Sequence, residues 1–236
     1  MTIISKSRSF IFVHLPKCGG TSVEQAFARY AGWNDIIVGA TPLGEFFTPY
    51  YRWRYGLKKH SAAAQIRSTV TPQFWECAWK AALVRHPMRA FESLHGWIAG
   101  LADGYKTQQQ IDHAEFARRM NAGALPGFLG RSRVARAYAA ATDFPQFVDA
   151  ALKARLLPRS QTQWLSDRER IIVDDVFKLE EIDRFWRALE TRTGMKVERL
   201  HANRSANATY HWDVRHIHDV AQRFRDDFVN FGYEPS

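Results

Sequence analysis

Cysteine is scarce in this chain of 236 residues: Cys18 and Cys77 are the only two. Two thiols make no disulfide framework and lack the spacing of a zinc site, so both are expected to be free. Long apolar runs are missing as well. Phe10 to Val13 and Ala78 to Val84, the latter interrupted by Lys80, fall far short of the roughly 20 residues of a membrane-spanning helix. Before the first strand-like run there is no space for a charged, apolar and cleavable leader, which makes the cytoplasm the expected location. Acidic residues are in deficit, 24 against 33 basic ones, for a net charge of +9. Such an excess attracts polyanions: nucleic acid, an acidic membrane surface, a multiply phosphorylated nucleotide or an anionic glycan. Repeats, low-complexity tracts and linkers are absent. With 46% apolar residues the chain can bury one substantial core, and its length fits a single domain over residues 1–236.

The run Ser9-Phe-Ile-Phe-Val-His-Leu15 reads as a buried strand, followed by a Gly-rich turn and a helix from Thr21 to about Ala31. Ser61 is a candidate cap for a short helix through Val70. Cys77 to Arg85 reads as a second buried strand, with Pro87 opening the next helix. Residues 107–155 are helical with Gly and Pro breaks and read as an all-helical insertion. Arg170 to Leu179 reads as another strand, Glu181 to Thr193 as a helix, and Asp213 to about Phe231 as a last helix. Strands alternating with helices imply an α/β fold with a central parallel sheet, flanked by helices, that collects ligands at the carboxyl ends of its strands.

His14-Leu-Pro-Lys-Cys-Gly-Gly-Thr-Ser22 is the most informative segment. Paired glycines let backbone N–H groups approach an anion, the following helix offers its positive end, and Lys17, Thr21 and Ser22 add donors. In the ATP-binding loop G-x-x-x-x-G-K-[S/T] the lysine follows the last glycine, whereas here Lys17 precedes both. Ile171 to Asp174 nevertheless imitates the apolar strand and magnesium-binding Asp of nucleotide hydrolases, so a kinase or NTPase is an alternative. An ordinary glycine turn is another.

Pro16, Lys17, Cys18, Gly19, Gly20, Thr21 and Ser22 together resemble the 5′-phosphosulfate loop of sulfotransferases that use 3′-phosphoadenosine 5′-phosphosulfate (PAPS). The likeness is greatest to the carbohydrate branch with the heparan sulfate 2-O- and 6-O-sulfotransferases and their bacterial relatives. Ala82-Leu-Val-Arg-His-Pro-Met-Arg-Ala-Phe-Glu-Ser93 is similar to the second motif of that family, in which the Arg and Ser bind the 3′-phosphate. The resemblance therefore assigns that phosphate to Arg85 and Ser93; the family usually carries Asp or Asn where this chain has His86. A planar guanidinium suits phosphate because it donates two charge-assisted hydrogen bonds. Gln163 to Asp167, Val176 to Glu180, Asn203 to Ser205 and Asp227 to Tyr233 are weaker landmarks of the same branch. The resemblance implies a P-loop-like three-layer fold, transfer of a sulfuryl group to an acceptor hydroxyl, PAP as product and no required metal.

In that reaction Lys17 is the natural stabiliser of charge on the leaving phosphate oxygen. His60 is the candidate base: it follows the aromatic and basic stretch Phe46 to Lys59, and the family often places a catalytic His between the two nucleotide motifs. Glu24 and Glu76 are alternative bases. Arg52, Arg54, Tyr55 and Lys58 are candidate acceptor-binding residues, suited to sugar faces and to sulfates or carboxylates on an anionic glycan. The same interleaving of rings and cations grips single-stranded nucleic acid, a reading set below the acceptor one. His14 is expected to be packed, Arg89 to be an ion-pair residue, and His211, His216 and His218 to lie on a solvated helix face. Cys18, at a helix N-terminus, is expected to be reactive and to be protected by PAP. A PAP-binding protein without chemistry is a further possibility, and neither the acceptor nor the oligomeric state follows from the residues.

Overall fold

The computed structural model describes residues 2–39, 41–198 and 209–235, so the Asn203 to Ser205 landmark lies outside the described residues. In chain order the elements are β1 (Thr2–Ser5), β2 (Phe10–Val13), α1 (Gly20–Ala28), β3 (Ile36–Val38), α2 (Pro42–Tyr55), α3 (Ala63–Arg67), α4 (Pro72–Cys77) and β4 (Trp79–Val84). Then come α5 (Pro87–Gln109), α6 (His113–Asn121), α7 (Gly127–Arg131), α8 (Arg133–Ala139), α9 (Phe144–Lys153) and α10 (Gln161–Leu165). β5 (Ser166–Asp167), β6 (Arg170–Ile171), β7 (Asp175–Lys178), α11 (Ile182–Thr193), α12 (Val214–Arg223) and α13 (Arg225–Phe231) complete the series. The chain divides into two compact units, one of residues 1–86, 159–204 and 229–232 and one of residues 87–158, 205–228 and 233–236.

The first unit is α/β, built on a five-stranded sheet in the order β3-β1-β2-β4-β7. It is mixed where a parallel sheet is expected: β2, β4 and β7 run parallel, but β1 is antiparallel to both β2 and β3. The reason is local. Only a tight turn separates Ser5 from Phe10, and so short a link joins antiparallel strands, since a parallel pair needs a crossover of a dozen or more residues. Asp35 holds that turn, accepting hydrogen bonds from the Ser7 amide at 3.0 Å, the Ser7 hydroxyl at 2.7 Å and the Ser5 hydroxyl at 3.0 Å.

Phe10 and Phe12 share one face of β2, and there α1 brings Phe27 to 6.1 Å from Phe10 while α11 brings Phe185 to 5.6 Å from Phe12. All six residues of β4 are buried, including Lys80, whose ammonium donates to the carbonyls of Trp75 and Ala78 and pairs with Asp174 at 3.0 Å. That lysine divides the strand expected over Arg170 to Leu179. Asp174 turns back to accept from the Lys80 amide at 2.8 Å, leaving β6 to pair with β5 and β7 to join the main sheet. Ser61 does not cap a helix as expected: Ala62 occupies the cap of α3, and the Ser61 hydroxyl accepts from the Lys58 amide at 2.9 Å.

The second unit is helical. α5 carries His95 into a cage of rings from Tyr138, Phe144, Phe147 and Tyr210, all with centroids within 5.6 Å, and burial lowers the pKa of that imidazole. Arg89 pairs with Glu92 at 2.8 Å, and Glu92 also accepts from the Trp212 indole at 2.9 Å. His216 corrects an expectation. His211 and His218 are exposed, but His216 is buried, with its two ring nitrogens 3.0 Å from Asp149 and 2.7 Å from Asp213. The single last helix is in fact two, because Phe224 leaves helical geometry and packs its ring 5.9 Å from Phe91.

Candidate functional site

β2 delivers its chain into the Gly-rich loop at the carboxyl end of the strand, and the parallel neighbour β4 delivers Arg85 at the same end of the sheet. Lys17 and Gly19 both take left-handed backbone conformations, with φ of 65° and 75°. Such a φ is uncommon for lysine, and strain of that kind gathers at binding loops. A side chain on Gly19 would be strained by φ and would meet Leu179, at the end of β7, at 2.6 Å. Gly20 admits no side chain because the His14 ring occupies its place, within 2.5 Å of an added Cβ. Gly19 caps α1 without a side-chain hydrogen bond, and the first turn of α1 carries no acidic residue. The positive end of the helix is therefore directed into the loop.

The electrostatics are those of an anion site. Burial and then the neighbouring Arg85 lower the Lys17 ammonium to about 8. The Arg85 guanidinium donates to the Lys17 carbonyl at 3.4 Å. Two cations held near each other in a partly buried loop gain from an anion placed between them. Pro16 and Thr21 are half-buried, Ser22 is buried, and the Ser22 amide donates to the Gly19 carbonyl at 3.1 Å. Ser93 belongs to the second unit, where it is half-buried on α5.

Cys18 is buried, where a thiol is poorly accessible to reagents, and it donates to Gln161 Oε1 at 3.2 Å, whereas Cys77 is exposed. Gln161 is a residue the sequence reading passed over. Its Oε1 accepts from the Arg85 amide at 2.7 Å and its Nε2 donates to the Arg85 carbonyl at 2.6 Å, so with the Cys18 bond it ties both the Gly-rich loop and the end of β4 to α10. The available signal was the capping box that starts α10, Ser160 with Gln163.

His60 stands against the same loop. Its Nδ1 lies 3.3 Å from the His14 carbonyl, its ring meets the His14 ring edge-on at 4.9 Å, and Trp164 of α10 approaches to 6.5 Å. Burial, with Lys59 and Lys17 adding repulsion, lowers the His60 imidazole to about 3. The His14 ring is buried, its Nδ1 has no hydrogen-bond partner among the described residues, and burial lowers its pKa too. Glu24 is fully buried on α1, and burial raises its carboxyl to about 8, outweighing the lowering by Lys59 and the Thr41 backbone. That shift favours the neutral acid at pH 7. Glu76 is exposed on α4, which precedes β4 and so lies at the opposite end of that strand from Arg85.

Arg52, Arg54 and Lys58 are exposed and Tyr55 half-buried, on the last turns of α2 and just past them. Asp174, the candidate magnesium ligand of the kinase alternative, sits beside Lys80 at the amino-terminal end of β4, a strand's length from the Gly-rich loop. A cleft of about 300 Å³ lined by Asp175, Lys178, Glu181 and Arg184, with Val176 and Phe177, contains none of the Gly-rich loop residues. Among the described residues no cluster of His, Cys, Asp and Glu is placed to hold a metal ion. No helix among them is long and apolar enough to cross a membrane. Comparison with protein-family models, with curated proteins and with solved structures gives no match.

Proposed function

We propose that the chain is a P-loop-like sulfotransferase that takes its sulfuryl group from PAPS and passes it to a hydroxyl, on a carbohydrate or glycoconjugate. One observation carries the reading: the left-handed Lys17 and Gly19 turn the loop between β2 and α1 around an uncapped helix N-terminus, with Arg85 from the adjacent parallel strand beside it. That constellation suits a ligand with phosphates at two positions. The resemblance of both motifs narrows such ligands to the 3′,5′-bisphosphorylated adenosine of PAPS.

Bound there, PAPS supplies an activated sulfuryl group on its 5′-phosphate. The loop amides and Lys17 hold the 5′ end, and Lys17 meets the charge that grows on the departing phosphate oxygen. Arg85 holds the 3′-phosphate through its fork. His60 is assigned to accept the acceptor proton at the ring nitrogen not directed at the His14 carbonyl. Burial keeps it neutral but lowers its basicity, so the role requires that bound cofactor and acceptor raise its pKa toward neutrality. Arg52, Arg54, Tyr55 and Lys58 are assigned to an anionic acceptor. The kinase alternative loses support because Asp174 is engaged by Lys80 away from the loop.

Calorimetry with PAP, AMP and ATP on the wild type and on Arg85→Ala tests the reading. PAP is expected to bind far more tightly than AMP, and Arg85→Ala to weaken PAP by about 2 to 4 kcal/mol while leaving AMP nearly unchanged. Equal affinity for PAP and AMP in the wild type would reject the cofactor, and equal losses in the variant would reject the role of Arg85.

A further inference from the structure

α2 is a helix of 14 residues in which Gly44 alone is buried. The helix touches the body of its unit along the line of Gly44, Thr48, Tyr51 and Tyr55, spaced by four, three and four residues, which is one helical face. Gly44 is the point of closest approach, where an added Cβ would lie 2.5 Å from the Gly39 carbonyl. Leu43, Phe46, Phe47, Tyr50 and Trp53 follow the same helical spacing on a different arc, and every one of them is exposed. Phe46 is 77% and Trp53 79% accessible. Their rings lean on one another in two pairs, Phe46 on Phe47 at 5.1 Å and Tyr50 on Trp53 at 6.2 Å, and the half-buried Tyr51 links the pairs into an aromatic ridge, 6.0 Å from Phe47 and 5.7 Å from Tyr50. A folded chain does not leave such a ridge in water without use.

The charges around the ridge identify its occupant. Arg52, Arg54 and Lys58 lie at and just past its carboxyl-terminal end, while Glu45, the one acidic residue between Pro42 and Lys59, is already paired with Lys59 at 3.7 Å. A second copy would bring the same cations against these, and each copy carries a net charge of +9. An anionic lipid surface does the reverse. Tryptophan, tyrosine and phenylalanine settle at the headgroup boundary, and each basic residue near such a surface strengthens adsorption by about fivefold. We propose that α2 is an interfacial helix that docks the protein on anionic phospholipid bilayers, with Leu43, Phe46, Phe47, Tyr50 and Trp53 entering the headgroup boundary and the basic end lying on its phosphates. The inference stands apart from the nucleotide reading, because docking requires neither PAPS nor turnover, and it places on lipid phosphates the cations Arg52, Arg54 and Lys58 that were assigned above to an anionic acceptor.

The test is sedimentation of the whole chain, without nucleotide, with sucrose-loaded vesicles of phosphatidylcholine alone or containing about one third phosphatidylglycerol. The wild type is expected to pellet with the anionic vesicles, to be released by high salt, and to stay largely in the supernatant with the neutral ones. Its tryptophan emission should shift to the blue on binding. Phe46→Ser with Trp53→Ser is expected to lower vesicle affinity about tenfold or more at an unchanged melting temperature, since both side chains are exposed. Arg52→Glu with Arg54→Glu should lower it at least as far and provides a second line should the first variant fold poorly. Failure of the wild type to pellet with anionic vesicles overturns the proposal, as does equal pelleting with both vesicle types. Wild-type behaviour of either variant has the same consequence. A wild-type dimer in light scattering that Phe46→Ser with Trp53→Ser converts to monomer would assign the ridge to a second copy instead.

Discussion

Gln161 and Arg85 are bonded twice, the Arg85 amide donating to the glutamine oxygen at 2.7 Å and the glutamine nitrogen donating to the Arg85 carbonyl at 2.6 Å. The same oxygen accepts from Cys18, so one side chain on α10 sets the spacing between the Gly-rich loop and the end of β4. Gln161→Ala leaves these partly buried backbone groups unpaired and is expected to cost about 1 to 3 kcal/mol in denaturant unfolding. Gln161→Glu keeps the acceptor but turns a carboxylate oxygen toward the Arg85 carbonyl, so it should lose stability as well and also weaken PAP. An unfolding midpoint unchanged in both variants would show that the clamp contributes nothing.

Lys17→Ala is expected to reduce turnover by roughly 100- to 1,000-fold at saturating PAPS, with a smaller loss of nucleotide affinity. Its ammonium, lowered to about 8, adds a pH signature. An anion binds the protonated amine, so wild-type affinity for PAP should fall as pH rises through 8, and the fall should be absent in Lys17→Ala. Calorimetry at pH 7 and pH 9 distinguishes the two. Parallel pH dependence in wild type and variant would assign the titration to another group.

The rate profile should reflect the setting of His60. A histidine with its ordinary pKa would give kcat/KM an acidic limb between pH 6 and 7. With the imidazole lowered to about 3 by burial and its cationic neighbours, the neutral base persists and the profile should stay flat from pH 7 to pH 5, over the range in which the fold holds. His60→Ala should still lower kcat by about 100- to 10,000-fold with PAP affinity near wild type. A wild-type limb near 6.5 that survives in His60→Ala would identify a different base.

Glu24 sets a different pH dependence, one of stability. Its carboxyl is raised to about 8 in the folded chain, against an ordinary value of 4.5. Below pH 4.5 the group is protonated folded or unfolded, and burial costs no ionisation. As pH rises from 4.5 to 8 only the unfolded chain ionises, so stability falls at up to about 1.4 kcal/mol per pH unit before levelling. Glu24→Gln removes that loss. Thermal unfolding should find the variant equal to wild type near pH 4.5 and increasingly more stable toward pH 8; a constant difference across that window would place the raised pKa elsewhere.

The candidate-site residues whose placement in the fold was legible in the sequence are those whose neighbours are local. Lys17, Gly19 and Gly20 adjoin a strand and a helix in the chain, and Arg85 directly follows an apolar strand. Gln161 lies 76 residues from the backbone it clamps, and no short motif announces a partner so far away. The burial of Glu24 was equally hidden, because α1 buries Ser22, Val23, Glu24, Ala26 and Phe27, too wide an arc for periodicity to mark one side. In the sheet, β2 and β4 were legible as apolar runs. β1 and β3, of four and three residues, are too short to carry a period, and with β1 went the antiparallel half of the sheet. Lys80 misled in a different way: nothing in Arg170 to Leu179 itself signals that a buried lysine on another strand captures Asp174.

The parallel pair of β4 and β7 also governs how the protein is made. β4 is buried along its whole length, but its partner β7 is separated from it in sequence by residues 87–158 of the second unit. During synthesis β4 therefore leaves the ribosome with one backbone edge bare, and that edge stays bare until Asp175 to Lys178 follow. An apolar strand with an open edge invites pairing between nascent chains, and a long-range parallel contact is slow to close. Slower initiation and lower temperature during expression reduce the number of such edges present at once, and holdase chaperones that cover apolar strands act in the same interval.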